Sequence, residues 1–486
     1  MLANSFQEKV VTPEEAVQKI KSASVLAFGG YTSSGYPKKI IESLVQRSKK
    51  EDLSFTILTG ANVGPIDNAL SQSNMSVRRA PMIQSSLLSK EVNEGKVDYV
   101  EVQMHDMPNL LKREKFGKIN YFVLEGIELT KEGYLYPTSS IGMNQHFIDQ
   151  CEKVIIEINK SQPSSLKGMH DVYHQSTKGV PLMDVDERIG VPYLKIPLEK
   201  IEMVVYSDEL DQVVAPAREL VEAEEISKHL NRFLESEFDD DLPPLQTGFG
   251  GIARNIVKGL KETKFKDIQF FCGILQEENI ELLNSDIGKS ASTGSIEMTE
   301  RVIELLESEE ILREKIIIRN NDVTNNSEVI SRLGIVSLLG AIEVDIYGNV
   351  NLSHVMGNRV LNGLGGGTNF AHNAQITIVL LPSTTAAGQI STIVPMVAHH
   401  DIIAHDVDII ITEHGIADLR GLTDRERAAA IIQKCAGEYQ AQLKDYYEEA
   451  ELAGGHHPVL LNKAFEWHTR FQQLKTMVKG ENNEKH

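Results

Sequence analysis

Short apolar runs rich in Val, Ile and Phe alternate with amphipathic stretches and Gly-containing turns along almost the whole chain. Residues 24–29 predict a strand, 38–48 a helix, and 53–58 a second strand that stops at Thr59-Gly60. Further runs of strand length occupy 121–125, 153–158, 268–274, 376–381 and 407–412, each ending near a Gly, a Pro or a polar turn. Nearly continuous apolar runs are what parallel strands buried on both faces require. Strands alternating with helical patterns indicate βαβ units, so the expected class is α/β.

A chain of 486 residues exceeds the size at which a single core keeps growing. The clearest break is 235–244, where charges and two prolines concentrate, and it places a boundary between about 215 and 245. The expected domains are 1–220 and 221–486, with a helix at 226–234 attached to the second. The polar tail after Lys475 is expected to fray. No solenoid repeat is present.

Composition narrows the partners. Asp and Glu outnumber Lys and Arg by 69 to 49, a net charge of −20. That charge repels nucleic acid and anionic membranes, but leaves room for a small anionic ligand in a local pocket. Cys151, Cys272 and Cys435 are far apart and odd in number, which builds neither a disulfide framework nor a C-x-x-C metal site. No apolar run approaches the ~18 residues of a spanning helix, and the first residues carry no signal-peptide core. The expectation is a soluble cytoplasmic protein.

Four constellations carry candidate chemistry. Gln246-Thr-Gly248-Phe-Gly250-Gly251 leads into a helical pattern, where backbone N–H groups approach an anion. It has no strand of the Rossmann kind before it and no P-loop Lys-Ser/Thr, and a plain tight turn is the competing reading. Gly363-Leu-Gly365-Gly366-Gly367-Thr-Asn-Phe370 offers close backbone approach and adjacent N–H groups for an oxyanion, or a structural turn. The run from Glu343 to Asn351, including Asn349, followed by Ser353-His354-Val-Met-Gly357, reads as a site lining or as a polar turn between strands. His399, His400, His405 and His414 lack regular zinc-ligand spacing, so no metal is expected there and turn roles are favoured. Glu413 ends a strand, where open α/β sheets place function; a capping or salt-bridged role competes.

Together these residues resemble the acetyl-CoA hydrolase/transferase family within the class I CoA-transferases, especially its succinyl-CoA:acetate CoA-transferase branch. The resemblance runs over essentially the whole chain. It includes Ser33-Ser34-Gly35-Tyr36-Pro37-Lys38, Thr59-Gly60-Ala61, Arg79-Ala80-Pro81, Gly168-Met169-His170-Asp171, His354-Val355-Met356-Gly357, Ile393-Val394-Pro395-Met396, and Thr412 through Gly421. It implies two open α/β domains of the CoA-transferase type with the active site in the inter-domain cleft, and a homodimer. The implied substrates are acyl-CoA with a small carboxylate or water; coenzyme A serves as substrate or ligand, and no cofactor is held permanently.

The family's nucleophile is a glutamate in a segment resembling Tyr-Thr-Glu-Val-Leu-Gln-Asp, which forms a glutamyl-CoA thioester. Here the matching segment is Phe271-Cys272-Gly273-Ile274-Leu275-Gln276-Glu277, so the nucleophile's position is Gly273. A glycine has no side chain with which to attack. The family's glycine loop, Gly-x-Gly-Gly-x-Gly-Asp-Phe, is altered to Thr368-Asn369 before Phe370, and Lys-Gly-Gly-Lys-Ile-Ser becomes Ala386-Ala387-Gly388-Gln389-Ile390-Ser391. Gly365 and Gly366 remain as oxyanion donors, Asn325 as a carboxamide near the thioester and Glu413 as general base. Gly248, Gly250, Gly363, Gly367 and Asn349 remain for CoA binding. The lost side chain is expected to leave room for water or another acceptor. Cys272, Glu277 and Glu278 are substitutes for the nucleophile, though Cys272 should point away from the face of Gly273. Three functions follow: acyl-CoA hydrolysis or transfer without a glutamyl-CoA intermediate, silent CoA or acyl-CoA binding, and ordinary CoA transfer with a relocated nucleophile.

Overall fold

The structure, a computed structural model, describes residues 2–61, 64–174, 180–213 and 221–479. The last seven residues of the tail expected to fray, and 214–220 at the edge of the expected boundary, lie outside the described residues. The chain forms two compact units. The first is Met1–Ala215, Asp267–Leu333 and Leu361–Asn369; the second is Pro216–Lys266, Gly334–Val360 and Phe370–His486. Packing therefore does not follow a single cut near residue 220, because two later segments belong with the first unit.

The first unit contains a seven-stranded sheet in the order Ile201–Ser207, Cys151–Asn159, Ile119–Gly126, Ser24–Phe28, Phe55–Thr59, Ser76–Ala80, Asp98–Tyr99. All its pairings are parallel, with Leu26 opposite Ile57 on one side and Ala27 opposite Phe122 on the other. Leu26, Ala27, Phe28, Ile57 and Phe122 are all fully buried, as strands covered on both faces require. Strands are added outward from Ser24–Phe28 in both directions. The winding reverses beside this central strand, and the loop after Phe28 leaves the sheet at the switch point, where open α/β sheets receive ligands. In the same unit, Ile268–Leu275, Gly288–Ile296, Ile316–Arg319 and His170–Asp171 run parallel in that order.

A buried polar network holds the switch-point loop. Lys38 Nζ lies 2.7 Å from both Glu125 and Asp211, all three side chains being almost inaccessible. It also donates to the Tyr36 carbonyl at 3.0 Å. Asp211 accepts from the Gly35 N–H (3.1 Å) and the Ser139 hydroxyl (2.6 Å). Glu157 accepts the N–H groups of Lys38, Lys39 and Ile40 at 2.9, 3.1 and 3.2 Å, so a buried carboxylate caps the helix Lys39–Ser48. Burial acts to lower the Lys38 pKa, but the attraction of Asp211 and Glu125 outweighs it and the net shift is upward, so the ammonium keeps its proton.

In the second unit, Gly415–Asp418, Ile409–Thr412, Ile376–Leu380, Val336–Gly340 and Leu245–Thr247 lie in that order, with only the first pairing antiparallel. Val379, Ile410, Leu443 and Trp467 belong to its core. Among the described residues, no helix is long and apolar enough to cross a membrane.

Two predictions follow. Lys38→Met leaves two carboxylates buried without their cation and should destabilise the protein by about 3–5 kcal/mol, read as a lower urea midpoint. His170, fully buried with Nε2 2.7 Å from the Thr138 carbonyl, is pushed down to about 4 by that burial. Its folded pKa lies below the unfolded value, so its contribution is present above pH ~6.5 and is lost as pH falls toward 4. Urea midpoints should therefore fall over that window, and His170→Gln should fall less steeply.

Candidate functional site

The space above Gly273 is filled. A Cβ built on Gly273 would stand 3.0 Å from the Tyr31 hydroxyl and 3.5 Å from the ring carbon Cε1. Tyr31 follows Gly29-Gly30 in the switch-point loop and is 5% exposed. Its ring lies against two more glycines: a Cβ on Gly294 would meet it at 3.0 Å and one on Gly142 would meet its Cβ at 3.1 Å. The vacancy expected from the missing side chain is thus corrected: an aromatic side chain from the first strand's loop occupies it. Thr32 Oγ1 bonds Ser295 Oγ at 3.1 Å, and Ser34 Oγ donates to the Ile296 carbonyl at 2.7 Å, fastening the loop to the strand Gly288–Ile296. Burial drives the Tyr31 pKa far above the ordinary phenol value, so the hydroxyl is a neutral donor.

The substitutes for a nucleophile are otherwise engaged. Cys272 is fully buried and its thiol donates to the Ile274 carbonyl at 3.2 Å. Glu277 and Glu278 sit in the first turn of the helix Glu277–Leu283, and Glu277 accepts a hydrogen bond from the Thr299 hydroxyl.

Asn325 caps the short helix Asn321–Thr324, which packs on the strands Ile268–Leu275 and Gly288–Ile296 and on the turn Met104–Asp106. Asn325 is fully buried, its Oδ1 accepts from Thr324, and its Nδ2 has no partner among the described residues. Asn321, one turn earlier, is also fully buried, with neither amide atom partnered among the described residues. Buried amides without partners are rare and mark a place for a ligand or water. The Asn369 amide bonds His105 in that same turn, bringing the glycine loop to the helix that carries Asn325.

The glycine loop is pinned before it is free. Gly363 donates to the Ile83 carbonyl at 2.7 Å, and a Cβ on it would meet Met82 and the Tyr99 hydroxyl, each at 2.7 Å. Leu364 donates to Glu101 at 3.0 Å. Gly363 therefore serves close packing of the loop. The next glycines, Gly365 and Gly366, have N–H groups with no acceptor among the described residues. Gly367 starts the helix Gly367–Asn373. Tyr31, Gly273, Asn325, Gly365 and Gly366 all belong to the first unit.

Gly248, Gly250, Asn349 and Glu413 belong to the second unit. A strand does precede the 248–251 turn, Leu245–Thr247, only three residues long and therefore invisible as an apolar run. Gly250, at φ +110°, caps the helix Gly251–Gly259. The turn opens onto a cavity of about 410 Å³ lined by Gly248, Phe249, Ile252, Ile256, Leu338 and Leu380. Asn349 is used in a turn: its Nδ2 donates to Asp345 at 3.0 Å and its Oδ1 accepts from Ala404 at 2.9 Å. Glu413 accepts from both the N–H (2.8 Å) and the hydroxyl of Ser383, and His414 lies 3.4 Å away. His399 pairs with Asp401 at 3.1 Å and packs tilted against His354 with ring centroids 3.8 Å apart. The residue that the sequence reading overlooks is Tyr31. Its signal is position: it is the first side chain after the glycine pair that ends a central parallel strand.

Two family models match the chain: the acetyl-CoA hydrolase/transferase N-terminal domain over residues 2–210 and the C-terminal domain over 300–447. The chain is 35% identical to a succinyl-CoA:acetate CoA-transferase of Clostridium kluyveri, over 97% of this chain and 90% of that one. It is 33% identical to an acetyl-CoA hydrolase of Saccharomyces cerevisiae, over 97% and 95%. The crystal structure of RipA from Yersinia pestis superposes with a TM-score of 0.72 at 20% identity, covering 92% of this chain and 98% of that one.

The contact at Gly273 is steric and free of backbone strain, because its φ lies outside the left-handed region. Gly273→Ala should destabilise the protein by about 1–3 kcal/mol through overpacking, and by less in a Tyr31→Phe background, where the clashing oxygen is gone. A double-mutant cycle in urea reads the coupling.

Proposed function

The chain belongs to the acetyl-CoA hydrolase/transferase family, and on that premise we propose that it acts on acyl-CoA thioesters without a glutamyl-CoA intermediate. The observation that carries this reading is the pairing of Gly273 with Tyr31: the position matched to the family's nucleophile bears no side chain, and a phenol stands where one would project. Groups suited to donate to a thioester carbonyl support the reading from within the same unit. Among the described residues, the N–H groups of Gly365 and Gly366 and the buried amide nitrogen of Asn325 have no partner.

In this reading the carbonyl oxygen accepts hydrogen bonds from these groups, and they strengthen as negative charge develops on it. Water adds to the carbonyl carbon and gives up its proton to solvent, the C–S bond breaks, CoA leaves as the thiolate and the acyl group as the free acid. A small carboxylate adding instead forms a mixed anhydride, whose acceptor carbonyl the CoA thiolate then attacks to give the new thioester and release the first carboxylate. Glu413, whose carboxylate already holds the N–H and hydroxyl of Ser383, is assigned the positioning of that turn instead of a general-base role. The setting is the cytoplasm, where the three buried thiols stay reduced, and the assembly is a homodimer.

A second reading, an acyl-CoA-binding protein without turnover, is favoured by the same Tyr31 packing, since a filled slot stabilises the site without supplying a nucleophile. A panel of acyl-CoAs assayed for thiol release, together with calorimetric titration, separates the two. Measurable release is expected, with Asn325→Ala lowering kcat about 10²-fold. Binding without release from any acyl-CoA selects the second reading. Borohydride treatment during turnover should leave every glutamate unmodified by peptide mass, and a reduced glutamate would restore the ordinary covalent route.

A further inference from the structure

We propose that the Tyr31 hydroxyl is a catalytic hydrogen-bond donor to the thioester carbonyl of the bound acyl-CoA, a proposal that rests on the acyl-CoA reading above. The side chain combines three properties that a packing residue does not need. First, its hydroxyl ends 3.0 Å from the point where a side chain on Gly273 would begin, near the C-terminal end of a parallel strand. Second, that hydroxyl is committed to no acceptor among the described residues, although the residue as a whole is only 5% exposed. Third, the side chain packs closely against Gly142, Gly273 and Gly294, at each of which a Cβ would stand only 3.0–3.1 Å from it.

The surroundings fit a carbonyl oxygen. The helix Asn321–Thr324 packs on the two strands that flank the ring, and Asn321 donates its backbone N–H to the Gly142 carbonyl at 3.2 Å. The amide of Asn321 and the amide nitrogen of Asn325, without partners among the described residues, therefore belong to the same corner of the unit as the phenol. Burial keeps Tyr31 protonated across the working range, which suits a donor and rules out a phenolate nucleophile. During the reaction Tyr31 keeps its proton. Its O–H bond points at the oxygen that gains charge as the acceptor adds, and the electron pair leaves with the CoA sulfur.

The test is Tyr31→Phe in the full chain, which keeps the ring in its slot and removes one oxygen. With acetyl-CoA and succinyl-CoA as probes, kcat should fall about 10²-fold with KM nearly unchanged, while the thermal midpoint stays within a few degrees of wild type. The infrared carbonyl band of bound [1-¹³C]acetyl-CoA should be lowered in the wild type and return toward its solution position in the variant. Equal kcat in the two proteins, or an unmoved carbonyl band, overturns the donor role and leaves the acyl-CoA reading standing. If the wild type binds acetyl-CoA but does not turn it over, the carbonyl band alone decides. Absence of binding to either thioester at millimolar concentration removes the acyl-CoA reading and this proposal together.

Discussion

Lys38 Nζ sits 2.7 Å from Glu125 and from Asp211 with no more than a few per cent of any of the three side chains in contact with solvent. Around that ammonium the loop after the central strand is assembled: Asp211 holds Gly35 and Ser139, Lys38 holds the Tyr36 carbonyl, and Glu157 closes the start of the following helix. A buried ion pair is weak evidence for stability, since desolvation opposes the Coulombic gain. Here its effect is geometric. It fixes the segment that delivers Tyr31 over Gly273, so a charge cluster with no chemistry of its own decides which atom faces the site.

The first unit then shows a division of labour between backbone and side chain. In the proposed reaction, backbone N–H groups at Gly365 and Gly366, a carboxamide at Asn325 and a phenol at Tyr31 take the place of the carboxylate that a covalent family member carries at the strand. All are neutral donors. Such a set stabilises charge that appears during a reaction more than charge already present in the ground state, because neutral dipoles fixed by packing need no reorganisation. The buried, fully committed Cys272 and the helix-start Glu277 do not enter this set.

Much of the fold is legible in the sequence where burial coincides with apolar side chains. Residues 24–29, 268–274 and 376–381 read as strands and form Ser24–Phe28, Ile268–Leu275 and Ile376–Leu380. The strand Gly288–Ile296 escapes that criterion because it is built from Ser, Thr, Ala and Gly; Ser292, Thr293 and Ser295 are buried polar residues whose hydroxyls bond backbone or Thr32. Ser76–Ala80 escapes because it contains two arginines, of which Arg79 is buried against Asp67 at 2.9 Å. Of the proposed site, local motifs single out the glycine loop and Asn325. Tyr31 escapes them, because its meaning comes from Gly142, Gly273 and Gly294, which lie more than a hundred residues away and meet it only after folding.

The interleaving of the two units in sequence bears on biosynthesis. Asp171 is buried and finds its cation in Arg319, whose strand Ile316–Arg319 also pairs with His170–Asp171. A nascent polypeptide that has emerged only as far as the mid-chain break holds that carboxylate without its counter-ion and lacks the strands that cover it. The first unit thus cannot reach its final packing until the ribosome has passed residue 369, the end of its last segment, and splitting the gene at the break would yield an N-terminal fragment with Asp171 unpaired from Arg319 instead of a free-standing domain.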